Sequence, residues 1–165
     1  EPAAVSVPVE APRPQPVEEP HSEEDTTTEE EEQEALEALF LNPETEPLEL
    51  LEVLRKRTLA RPSSPIIRAA VYHYFSEDDL GLVRFYGELS HSEANHHAHQ
   101  WNLARAYVQA GQEQLAVSQY QKLLKAAPTP DGFEELAEVY GRLKKLEHAE
   151  RTREFARKLR QSQKS

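Results

Sequence analysis

The chain has 165 residues, 30 acidic and 19 basic, for a formal net charge of −11, and it contains no cysteine. That length accommodates one ordinary domain. The missing thiols exclude disulfides, thiolate metal sites and a cysteine nucleophile, and no apolar run approaches the ~20 residues that a membrane-spanning helix requires.

The charge is divided along the chain. Residues 1–46 hold fifteen acids and one base, Arg13, a net of −14; residues 47–165 hold the other fifteen acids and eighteen bases, a net of +3. An acidic tail is therefore expected beside a more basic folded part. No signal peptide is visible and methionine is absent even at position 1. Both fit a processed form or an excised segment, with any membrane anchor lying upstream.

Residues 1–20, EPAAVSVPVEAPRPQPVEEP, contain six prolines and no glycine, a composition that favours extended, polyproline-like spacers. Residues 21–34 are polar and strongly acidic and offer little to bury. The expectation is a disordered Pro/Glu-rich linker over 1–31, either merely solvated or docking on a basic surface. Its composition also resembles the spacer that follows the anchor in bacterial envelope proteins. A membrane-tethered envelope domain or a cytoplasmic protein is expected, with membrane contact only through such an anchor.

Helical periodicity begins at Ala35. Leu36, Leu39 and Phe40 share one face, and Leu48, Leu51, Leu54 and Leu59 recur after the break at NPETEP. Two helices, near 32–41 and 47–60, form an expected N-terminal hairpin over 32–62, ended by Pro62 and Pro65. The spacing then predicts helices near 65–75, 78–90, 96–110, 113–126, 131–143 and 147–162, separated by short breaks at YFSEDD, QAGQ and RLKKLEH. No stretch alternates as a strand would.

The helical runs repeat. In residues 100–128, Leu103 and Ala104 precede Tyr107, Gly111 marks a turn, Ala116, Tyr120 and Leu123 follow, and Pro128 closes the unit. Adding 33 gives Leu136, Ala137, Tyr140, Ala149, Arg153 and Ala156; subtracting 34 gives Ala69, Ala70, His73, Leu82, Tyr86 and Leu89. The chain over 63–162 resembles the tetratricopeptide repeat, a two-helix unit with a period of about 34 residues. Arg153, Lys144, His73 and Leu82 depart from that pattern, and Leu82 leads to an expected wider crossing in the first unit. The resemblance implies an all-α solenoid of three stacked antiparallel hairpins, closed by a basic capping helix.

It also implies a groove lined by the first helix of each hairpin. The matching positions are Ile67, Val71 and Tyr74 in the first unit, Trp101, Arg105, Val108 and Gln109 in the second, and Glu134 and Glu138 in the third. Trp101 has two readings, packing against the preceding hairpin or anchoring a partner. A basic clamp for a partner's C-terminal carboxylates is not supported, since Arg105 is the single base in this set. An extended or helical peptide with apolar and basic residues suits it better.

Four histidines crowd the stretch HSEANHHAHQW, residues 91–101. They are read as a polar first helical turn begun by Asn95 or Ser92, as a weak metal site of His91, His96 and His99, or as a pH-responsive patch. Catalysis is disfavoured because no Gly-rich phosphate loop, nucleophile elbow or paired carboxylates in an apolar setting occur; no cofactor or small-molecule substrate is expected. Nine bases against three acids from Arg142 onward give a net of +6, but they are interspersed, which disfavours nucleic acid. The function expected is a non-enzymatic scaffold or adaptor that binds a protein or peptide. The alternatives are a subunit built permanently into a large complex and a histidine-based metal- or pH-responsive regulator.

Overall fold

The computed structural model describes residues 28–164. Among them every regular element is an α-helix: α1 (Glu29–Leu41), α2 (Pro47–Ala60), α3 (Pro65–Tyr74), α4 (Asp79–Leu89), α5 (His96–Gln109), α6 (Glu113–Ala126), α7 (Pro130–Arg142) and α8 (Leu146–Gln163). The linker expected over 1–31 lies outside the described residues except at its end, where the structure differs. The run Glu29–Glu32 is the first turn of α1. Thr28 is its N-cap, its hydroxyl oxygen accepting from the Glu31 N–H at 3.2 Å, and glutamates in a first turn complement the helix dipole.

Local chemistry sets the other starts. Ser64 and Thr129 accept from Ile67 and Gly132, each followed by a proline at the first helical position. Asp78 accepts from the Gly81 N–H at 2.9 Å. Asn95 precedes α5 with left-handed backbone and no side-chain cap, so the expected Asn95 or Ser92 cap is not made.

The α5–α6 and α7–α8 turns are the same structure. At the first, Gly111 has φ 74° and the Gln112 N–H donates to the Tyr107 carbonyl at 2.8 Å. At the second, Lys144 has φ 60° and the Lys145 N–H donates to the Tyr140 carbonyl at 2.9 Å. Both are αL closures that satisfy the last carbonyls of the helix. Buried alanines, Ala104 with Ala116 and Ala137 with Ala149, then let each pair of helices approach closely.

The α3–α4 pair is wider. Its backbones stay apart, held off by Tyr72 against Tyr86 at 6.3 Å and Phe75 against Phe85 at 5.6 Å. Leu82 stands where the other pairs have Ala116 and Ala149. Tyr74 precedes Leu82 by eight positions, whereas nine separate Tyr107 from Ala116 and Tyr140 from Ala149. One missing turn residue also removes the glycine-type closure.

Two apolar cores result. Leu36, Leu54, Ile67, Val71, Leu82 and Tyr86 belong to one, which also takes Leu103 and Ala106 from α5. Trp101 and Ala104, on another side of α5, join Tyr120, Leu124, Leu136 and Tyr140 in the second. The expected α1–α2 hairpin is opened: α1 lies against α3. Its tie to α2 is Glu32, buried and paired with Arg57 at 3.4 Å and Arg61 at 3.2 Å.

Candidate functional site

Alternate helices meet at one concavity. Arg68 and Tyr72 of α3, Arg105, Val108 and Gln109 of α5, and Glu135, Glu138 and Arg142 of α7 surround a cavity of about 210 Å³. Tyr120 of α6 completes it. A second cavity of about 230 Å³ adjoins it, lined by Ser63, His97, Trp101 and Asp131 and sharing Arg105 and Glu135.

The Arg105–Glu135 pair divides the two. Arg105 Nε donates to Glu135 Oε1 at 2.7 Å and Nη2 donates to Oε2 at 3.2 Å, a two-bond fork. Nη1 reaches Asn102 Oδ1 at 3.4 Å, and the buried Asn102 Nδ2 donates to the Pro62 carbonyl at 2.7 Å. A chain of polar contacts thus runs from the α2–α3 loop through α5 to α7. Burial by itself would lower the Arg105 pKa, but the hydrogen bond and charge of Glu135 hold it above its ordinary value. Burial pushes the Tyr120 phenol up, with the Glu135 charge acting in the same direction.

Of the expected groove residues, Arg105, Val108, Gln109 and Glu138 share the first cavity, and Trp101 lines the second. The others do not. Ile67 and Val71 are 1% and 0% exposed and belong to the core. Tyr74 turns to α2, its hydroxyl donating to the Pro47 carbonyl at 3.1 Å. Glu134 is taken by Arg160 of α8 at 2.6 Å, which holds the Glu134 carboxyl below the ordinary glutamate value. The misplacement on α3 has a single cause. Arg68 and Tyr72 are the positions equivalent to Trp101 and Arg105, one period earlier, but the turn after α3 is one residue shorter. The longer period that aligns α4 with α6 therefore misaligns α3 with α5.

Trp101 is buried and packs forward rather than against the preceding hairpin. Its ring lies 5.6 Å from Tyr120 and against Gly132 of α7. The indole N–H donates to His97 Nε2 at 2.8 Å, and the Arg105 guanidinium carbon is 6.0 Å from the ring centroid. Trp101 is a wall of the site more than an anchor offered to a partner.

The histidines do not converge. His91 and His96 are exposed, and the His96 Nδ1 is 3.2 Å from the Ser92 carbonyl. His99 turns into the interior, fully buried, with neither ring nitrogen hydrogen-bonded. Among the described residues no three His, Asp or Glu side chains are placed to hold a metal ion. The sequence reading missed Arg68, Tyr72, Glu135 and Arg142; stepping back from Arg105 by the interval that separates it from Glu138 would have found Tyr72. No helix is long and apolar enough, among the described residues, to cross a membrane. The chain matches no protein-family model and no curated protein sequence.

Proposed function

We propose that the protein is a non-enzymatic interaction module, an α-solenoid of tetratricopeptide-like hairpins that binds a protein segment along α3, α5 and α7. The observation that carries this reading is the shared concavity: α3, α5 and α7 each send side chains into one cavity, the arrangement expected of an inner solenoid face. The identical αL turns and the buried alanine pairs, each recurring one period apart, support the repeat.

Arg105 and Glu135 satisfy one another and build the wall. Arg68, Glu138 and Arg142 form no ion pair with another described residue, so they are the charges free to meet a ligand. A polar segment carrying both signs of charge fits them better than the apolar and basic peptide expected from Ile67, Val71 and Trp101.

The test uses the full chain with a photo-cross-linker at Gln109. Cross-linked partners are identified from the source cells and compared with a Glu138→Arg/Arg142→Glu variant, whose net charge is unchanged. Loss of the cross-links with an unchanged melting curve supports the reading. Cross-links that survive the charge swap place binding elsewhere.

A further inference from the structure

A larger cavity lies away from this face. It holds about 580 Å³ between α1 and α3, floored by Leu36, Phe40, Ile66, Ala69 and Ala70. Such a volume is in the range of ligand and peptide pockets. Leu41, 81% exposed, stands at its rim, as does Glu37, which accepts from Gln33 at 3.0 Å.

The repeat spacing explains why it is open. Ile66, Ala69, Ala70 and His73 lie one period before His99, Asn102, Leu103 and Ala106 of α5, all of which are buried. One period further on, in α7, Gly132, Leu136 and Val139 are also buried. On α5 and α7 these positions meet neighbouring helices. On α3 they face a gap that α1 covers from one side, with Phe40 edge-on to His73 at 5.1 Å. The gap is a slot with an apolar floor.

Charge selects what fits it. The α1 sequence holds six glutamates and no base, and Glu32 alone of these is paired with arginines. Of the remaining five, Glu37 lines the slot itself, and the others give the helix beside it a net negative charge. The chain's own residues 1–27 carry seven acids and one base, a net of −6, and would be repelled. We propose that the α1–α3 slot is a second docking site, which takes an amphipathic helix of a partner protein whose polar positions are basic. Two or three apolar side chains at helical spacing enter the floor, and Lys or Arg on the flanks meet α1.

The probe is a synthetic helical peptide of about five turns, with leucines at i, i+4, i+7 and i+11 and lysines at its polar positions. Its partner peptide has the same leucines and glutamates instead. Each is titrated into the full ¹⁵N-labelled chain at low and high salt. The lysine peptide is expected to shift amides of α1 and α3 and to bind at least tenfold more tightly than the glutamate peptide. Salt should weaken it. Ala69→Lys, a change at an exposed helical position, should weaken binding at least tenfold while circular dichroism and melting temperature stay unchanged. A Glu138→Arg/Arg142→Glu chain should bind the peptide as wild type does, which separates this slot from the α3–α5–α7 face. Equal binding of both peptides, no binding, binding that survives Ala69→Lys, or shifts mapping to Gln109 and Glu138 would each overturn the proposal. So would concentration-dependent self-association that Ala69→Lys abolishes, because the occupant would then be a second copy.

Discussion

The indole of Trp101 occupies the space that a side chain on Gly132 would need. A β-carbon there would fall 2.5 Å from Trp101 Cη2 and 2.7 Å from Leu124 Cδ2. Gly132→Ala therefore pits overpacking, costing about 1–3 kcal/mol, against a helix-propensity gain of up to about 1 kcal/mol. Overpacking wins because both neighbours are buried ring and branched carbons. The expected outcome in a denaturant melt is a net loss of stability, at the lower end of that overpacking range. Gly87→Ala, with nothing within 4 Å of the new carbon, is the control and should be neutral or stabilising. Equal effects at both positions would show that α7 yields to Trp101 rather than being set by it.

The two αL turns make opposite forecasts. Lys144 holds a conformation that costs a side-chain-bearing residue about 1 kcal/mol or more. Lys144→Gly should therefore raise stability by up to about 1 kcal/mol, and Gly111→Ala should lower it by about as much. A stability unchanged by both substitutions would remove the argument that these turns close the hairpins by backbone strain relief.

For Arg105 and Glu135, the relevant measurement is a double-mutant cycle with Arg105→Met and Glu135→Gln. Both side chains are about a third exposed, at 30% and 32%, so solvent screens the pair. The fork geometry raises the coupling above that of an ordinary surface pair, to about 1 kcal/mol. A coupling indistinguishable from zero would mean that the wall between the two cavities is not held by this contact.

Acid should destabilise the fold through His99. Burial pushes its pKa below the ordinary 6.5, and the neighbouring His96 acts in the same direction, while the Ala94 carbonyl opposes them without forming a hydrogen bond. Well above pH 6.5 the imidazole is neutral in both folded and unfolded chains. Below it the unfolded chain takes up a proton that the folded chain refuses, so stability falls with pH down to the folded pKa. His99→Leu should flatten this part of the pH–stability curve relative to wild type. Parallel curves for the two proteins between about pH 5 and 7 would rule His99 out as the source.

Much of the secondary structure was legible because apolar spacing and caps agree. Pro65, Asp78 and Gly111 mark ends that the backbone itself requires. The start of α1 was legible too, in Thr28 followed by Glu31, but composition outweighed the cap and gave Glu29–Glu31 to the linker. Which side of a helix faces the cavity was harder to read. One residue missing between Tyr74 and Leu82 rotates α3 by about 100° relative to a uniform repeat, and this sends Ile67 and Val71 inward and Arg68 and Tyr72 outward. The roles of Gly132 and Glu135 depend on contacts with Trp101 and Arg105, about thirty residues away in sequence and off the repeat register, and no local pattern announces them.

Leu103 and Ala106 serve one core while Trp101 and Ala104 serve the other. α5 is thus a party wall between two rooms. If either half lets go, the wall loses its footing on that side and half of its apolar surface meets water. The halves should therefore melt together. The single tryptophan set into that wall makes this visible, since its fluorescence and the far-UV helix signal should trace one superimposable transition.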